Sequence, residues 1–145
     1  MYKKILLSAA ALMLINAPVM ARDSINDYSV KDAMAQSEAK EILGDKIRFY
    51  FGDQPHGKVL KTFGEFRTNQ KTNAFGKSDE KACKWVFLSA MKSLKQRAET
   101  EGGNAVINIR SNYRNNLTTS DTTFKCGAGA IIAGVALVGD VVTLK

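Results

Sequence analysis

The sequence predicts an α+β fold, in which one long amphipathic helix packs on a mostly antiparallel sheet and a shorter helix precedes them. Three observations favour this class. One segment, residues 78–101, combines helix-forming residues with an apolar stripe of helical period. Several other segments alternate apolar and polar residues, as half-buried strands do. The chain has 145 residues, 45% of them hydrophobic, with 11 Gly and two Cys, which is typical of one compact domain.

The first 21 residues have the layout of a secretory signal peptide. Lys3 and Lys4 form a cationic start, an uncharged run of 11 residues extends over Ile5–Ile15, and small residues precede a cleavage site after Ala21. Because about 20 apolar residues are needed to span a bilayer, we expect no transmembrane anchor in the processed chain. The sequence therefore predicts a periplasmic or secreted protein, with an N-terminal segment over 22–45 and a single domain over 46–145.

The processed chain, residues 22–145, is moderately basic. It has 19 basic and 14 acidic residues, a net charge of +5. This excess favours a loose attraction to another envelope protein or to an anionic envelope surface, and it is too small and too scattered to indicate nucleic-acid binding. No motif in the sequence indicates a cofactor.

The two cysteines, Cys83 and Cys126, both remain after processing. In an oxidising compartment an even count favours a disulfide bond. A redox-active pair is the first alternative, although such pairs usually have C-x-x-C spacing. A metal site is the second, with the single His56 as a third soft ligand.

The N-terminal half predicts a helix followed by strands. Residues 23–26 are polar, and we expect them to be mobile; a short amphipathic helix follows over 30–43, with Ser29 as its N-cap. Residues 46–51 alternate as a half-buried strand. A second strand over 59–68 changes phase at Gly64, which predicts a bulge or bend, and a polar loop follows over 69–77.

Residues 78–101 form the clearest helix. Ser78 is its predicted N-cap, two acidic residues follow where the helix dipole favours negative charge, and Gly102 and Gly103 end it. The predicted core stripe consists of Cys83, Phe87, Ala90, Met91, Leu94 and Ala98. The opposite face carries four lysines: Lys81, Lys84, Lys92 and Lys95.

Trp85 and Leu88 fall among these lysines rather than on the core stripe. One interpretation is that the N-terminal helix or a loop covers them. The other is a partly exposed aromatic anchor ringed by positive charge, which suits a partner interface or an anionic surface. The candidate interaction surface therefore comprises Trp85, Leu88, Lys81, Lys84 and Lys92.

The C-terminal part predicts strands. Residues 104–113 and 122–126 read as the two arms of a hairpin. Residues 127–139 contain no charge. We expect a buried turn that leads into a central strand, with membrane insertion in the manner of a peptide, or self-association, as the alternative.

Two further features indicate chemistry only weakly. Residues 71–78 end in Gly-Lys-Ser like a phosphate-binding loop, but Lys71 occupies the position of the first glycine, which argues against nucleotide binding. His56 lies in a predicted turn and is the only histidine. Without a nucleophile motif or a second histidine, it is a weak alternative catalytic site.

Four segments between Val59 and Leu144 occur in an arrangement typical of a known domain: Gly64-Glu65, Ala90-Met91, Gly103-Asn104-Ala105-Val106 and Cys126-Gly127-Ala128-Gly129-Ala130. Through these segments the chain resembles the small α+β domain of YbjQ-like proteins and of the Rcs outer-membrane stress-sensor lipoprotein. The resemblance implies a role in envelope stress, a bridge of the Cys83–Cys126 kind, or heavy-metal binding.

The interpretation favoured by the sequence is an exported, non-catalytic binding or envelope-stress-associated protein. A small envelope enzyme using His56 and a metal-binding module are the alternatives.

Overall fold

The computed structural model describes residues 23–145. The predicted signal peptide and its cleavage site after Ala21 lie outside the described residues. None of the helices within 23–145 has the length and apolar character to cross a membrane. Seven strands and three helices follow one another in the chain: β1 (Asp23–Ser29), α1 (Val30–Met34), α2 (Ser37–Leu43), β2 (Arg48–Phe51), β3 (Val59–Asn73), α3 (Asp79–Glu101), β4 (Ala105–Tyr113), β5 (Asn116–Thr118), β6 (Thr123–Gly129) and β7 (Ile132–Leu144).

The strands form one mostly antiparallel sheet with β7 at its centre. On one side β7 pairs with β3 along almost its whole length, from Asn73↔Ile132 to Val59↔Leu144. On the other side it pairs with β4 and then with β6. β1 continues the sheet beyond β6, and β2 continues it beyond β4 as a parallel strand. The predicted α+β class, with one long helix on a mostly antiparallel sheet, is confirmed.

α3 begins and ends where the sequence predicts, and it buries the predicted face. The Ser78 hydroxyl accepts a hydrogen bond from the Lys81 backbone N–H at 3.1 Å, and Gly102 ends the helix in the left-handed conformation at φ 85°, where a glycine has no side chain to clash. All six residues of the predicted stripe are buried against the sheet. The helix therefore lies across the sheet with its lysines directed outward.

The core beneath α3 is built around stacked aromatic rings. Phe87 lies between Phe51 and Phe124, with ring centroids 5.9 Å and 4.2 Å away. A smaller apolar cluster, formed by Ala105, Val142 and Leu144, lies apart from this core.

The N-terminal segment differs from its prediction in two respects. Ser29 does cap a helix, since its hydroxyl accepts from the Asp32 N–H at 3.1 Å, but α1 ends at Met34 and α2 begins separately at Ser37. The expectation of a mobile segment over residues 23–26 is wrong. These residues belong to β1, whose backbone pairs with β6 from Asp23↔Gly129 onward.

Two strand predictions also need correction. The register shift next to Gly64, which has φ 122°, confirms the predicted bulge, but β3 then continues to Asn73 where the sequence predicts a polar loop. The expected hairpin of residues 104–113 with 122–126 does not form in the described part of the chain, where β4 pairs with β2, β5 and β7. Instead β4 turns directly into β5 through Arg114 and Asn115, both at positive φ, as in a type I′ turn.

Candidate interaction surface

The outer side of α3 presents one aromatic residue between two lysines. Trp85 keeps 45% of its surface exposed, and Lys81 and Lys92 are also exposed. Their spacings of four and seven residues place all three on one side of the helix. Further along the same side, Lys95 and Glu99 form an ion pair at 3.9 Å. We call Lys81, Trp85 and Lys92 the α3 ridge.

Leu88 does not belong to this surface, because its side chain is completely buried. The α1–α2 segment packs on the same flank of α3, as the first of the two sequence interpretations has it. The Gln36 side-chain amide bridges the two parts by donating to Ala33 O at 2.8 Å and to Lys84 O at 3.2 Å. Leu88 is therefore covered, as the first interpretation predicts, and Trp85 is partly exposed, as the second predicts.

Lys84 is less available than the lysines of the ridge. Its Nζ lies 2.7 Å from Glu80 Oε1, and only 24% of its side chain is exposed. The hydrogen bond that the Lys84 ammonium donates to the Glu80 carboxylate raises the pKa of Lys84. Lys84 is therefore paired within the helix, whereas neither Lys81 nor Lys92 forms an ion pair with another residue of 23–145.

A disulfide bond between Cys83 and Cys126 ties the beginning of α3 to β6. The two Cα atoms are 5.9 Å apart and both side chains are fully buried. While the bond is intact, neither sulfur is a thiolate that could bind a metal ion. The bond also fixes the helix turn that carries Trp85, two residues further along the chain.

His56, the weak alternative catalytic residue, is exposed on the loop between β2 and β3. Its Nδ1 lies 2.8 Å from Gly57 O, and its ring meets the Tyr50 ring edge-on at a centroid distance of 5.6 Å. Within residues 23–145, no group of three or more His, Cys, Asp and Glu side chains is arranged to hold a metal ion.

A second exposed surface lies where the β3–α3 and β6–β7 loops meet, and the sequence interpretation missed it. Phe75, Ile131 and Ile132 are 74%, 65% and 53% exposed, and they line one open apolar depression of about 480 Å³. We call these three residues the apolar tip. The prediction of a buried turn before the central strand is therefore wrong, because Ala130, Ile131 and Ile132 are all exposed. An aromatic residue in an otherwise polar loop, Phe75, was the available signal.

Two other depressions on the surface are weaker candidates for a binding site. A groove of about 280 Å³ on the sheet is lined by Arg67, Arg114 and three asparagines. Both arginines are already paired, Arg67 with Glu65 at 3.7 Å and Arg114 with Asp23. The other depression, of about 480 Å³, lies between α2 and β2 and is mainly apolar.

Comparison with known proteins identifies no family. No protein-family model matches the chain, and no curated protein matches it. Among solved structures, the chain is similar to a protein of unknown function from Pediococcus pentosaceus that is assigned to the DUF74 family. The two share 14% identity at a TM-score of 0.43, over 68% of this chain and 96% of the other. A likeness at that level decides neither the fold nor the function.

Proposed function

We propose that the chain is an exported, non-catalytic binding protein of the cell envelope, and that it binds an acidic partner protein through the α3 ridge. The observation that carries the proposal is the exposed Trp85 on the same side of α3 as Lys81 and Lys92, two exposed lysines that form no ion pair within residues 23–145. Tryptophan is enriched among the residues that dominate binding energy. Unpaired lysines around it complement an acidic partner and speed the encounter.

The rigidity of the ridge supports the same proposal. The opposite face of α3 is buried, and the disulfide holds the turn next to Trp85 to the sheet. A surface that is already ordered loses little conformational entropy when it binds. The α3 ridge therefore suits recognition of a folded partner.

The disulfide also supports export, because such bonds persist mainly in oxidising compartments. The sequence resemblance to the stress-sensor domain adds an association with envelope stress. The surroundings of His56 favour an enzyme less. Its Nδ1 lies next to the backbone oxygen of Gly57 and its ring packs against the Tyr50 ring, and neither contact is a catalytic partner.

Site-specific photo-crosslinking in intact cells tests the proposal. A photoreactive residue is placed at Trp85 and, as a matched control, at Leu117, which is 52% exposed on β5. We expect a discrete adduct with an acidic envelope protein at position 85 only. Lys81→Glu combined with Lys92→Glu should abolish the adduct by reversing the charge of the ridge. Failure to form an adduct at position 85, or an equal adduct at position 117, would contradict the proposal.

Binding of the identified partner then measures the role of the indole. We expect Trp85→Ala to weaken the affinity by about 2 kcal/mol or more, the usual size for an anchor residue. Leu117→Ala should leave the affinity unchanged.

A further inference from the structure

The apolar tip brings together two loops that are far apart in sequence. The Ala74 backbone N–H donates to Ile131 O at 2.6 Å, which joins the loop before α3 to the turn before β7. Phe75 on one loop and Ile131 and Ile132 on the other therefore form one surface. Clustered exposed apolar side chains of this kind mark sites of interaction with a protein or a membrane.

Two lysines lie next to the apolar tip. Lys71 is the only charged residue among the six that line the depression, and the other two polar residues are Thr72 and Asn73. Lys77 is also exposed, and its Nζ donates to Asn73 O at 3.0 Å within the same loop. An apolar centre with a cationic margin is complementary to an anionic bilayer, in which apolar side chains enter the headgroup region and lysines meet phosphate groups.

We infer that the apolar tip inserts into the surface of an anionic lipid bilayer and attaches the exported protein reversibly to the membrane. Phe75, Ile131 and Ile132 enter the interface, and Lys71 and Lys77 contact lipid phosphates. The inference is independent of the proposed function, because α3 ridge residues take no part in it.

Co-sedimentation with lipid vesicles tests the inference on protein purified after export. We expect binding to vesicles that contain phosphatidylglycerol and little binding to pure phosphatidylcholine. Phe75→Ser combined with Ile131→Ser should lower the partition coefficient at least about tenfold, because two apolar side chains are lost from the interface. Lys71→Glu should lower it by about fivefold or more for anionic vesicles only.

Matched controls separate insertion from a loss of folding. Leu60 and Leu117 are 58% and 52% exposed on other strands, so serine at either position should leave vesicle binding unchanged. Equal urea midpoints for all variants show that each remains folded. Since Trp85 is the only tryptophan, the Phe75→Trp variant in a Trp85→Phe background places a single indole at the tip. Its emission should shift to the blue when anionic vesicles are added.

Three results would overturn the inference: no sedimentation of the native protein with anionic vesicles, equal losses in the tip variants and the leucine controls, or no blue shift at position 75. A dimer in lipid-free solution that dissociates in the Phe75→Ser and Ile131→Ser variant would also overturn it. In that case a second copy of the chain, rather than lipid, covers the tip.

Discussion

Reduction of the disulfide is expected to lower the stability of the protein by about 4 kcal/mol. The bond closes a loop between positions separated by 43 residues. In the chain-entropy model a cross-link over that length restricts the unfolded chain by about 4 kcal/mol at 25 °C. Because domains of this kind have a free energy of unfolding of about 5–15 kcal/mol, the reduced protein should remain folded in water but lie much closer to its transition.

Urea unfolding of the oxidised protein, with and without dithiothreitol, measures this loss without changing any residue. At an m-value of about 2 kcal/mol per M, the midpoint should fall by about 2 M. The m-value should rise on reduction, since the unfolded chain then exposes more surface. A double variant, Cys83→Ala with Cys126→Ala, should behave like the reduced protein with a small additional loss from two buried sulfur atoms.

The reasoning would be refuted by a midpoint that does not change on reduction. Thiol titration gives the corresponding chemical check: the protein unfolded without reductant should show no reactive thiol, and two reactive thiols would show that the bond does not form.

Two further predictions concern the core. Phe87→Ala should lower the free energy of unfolding by about 3–5 kcal/mol, because the ring fills the centre of the aromatic stack; thermal melting checks it, and a loss below about 1 kcal/mol would contradict the stack as the main core contact. Gly139→Ala should cost about 1–3 kcal/mol, since its Cβ would lie 2.6 Å from Val106 Cγ1. Gly134→Ala on the same strand meets nothing closer than 3.6 Å and should be near neutral; similar urea midpoints for the two variants would argue against the close approach at Gly139.

The parts of the fold that depend on local sequence could be predicted. α3 was defined by its apolar stripe, its Ser78 cap and its terminal glycine, and each of these signals acts within a few residues. The same holds for the Ser29 cap and for the phase change at Gly64. The disulfide bond was predicted from the even number of cysteines and from the oxidising compartment that the signal peptide predicts.

The errors arise where pairing between distant segments decides the structure. Residues 69–73 are all polar, and residues 23–26 are polar apart from Ile25. Both segments belong to strands because each pairs with a strand far along the chain. Strand propensity depends on such neighbours more than on the residue itself. The break between α1 and α2 also lacked a local signal, since no glycine or proline occurs at 35–36.

The candidate surfaces also divide into a part that local sequence predicts and a part that depends on distant segments. Helical spacing placed Trp85 and Leu88 on adjacent sides of α3 but could not tell which of them the α1–α2 segment would cover. The apolar tip depends on two loops that meet only in three dimensions, so neither Phe75 nor Ile131 identified it alone.

The position of β7 has a consequence for biosynthesis. It is the last of the seven strands in chain order, yet β3, β4 and β6 all hydrogen-bond to it. A ribosome-bound chain that lacks residues 132–144 therefore cannot assemble the sheet. Folding then begins from partners far apart in sequence, which is a slow process, after the whole polypeptide has been synthesised.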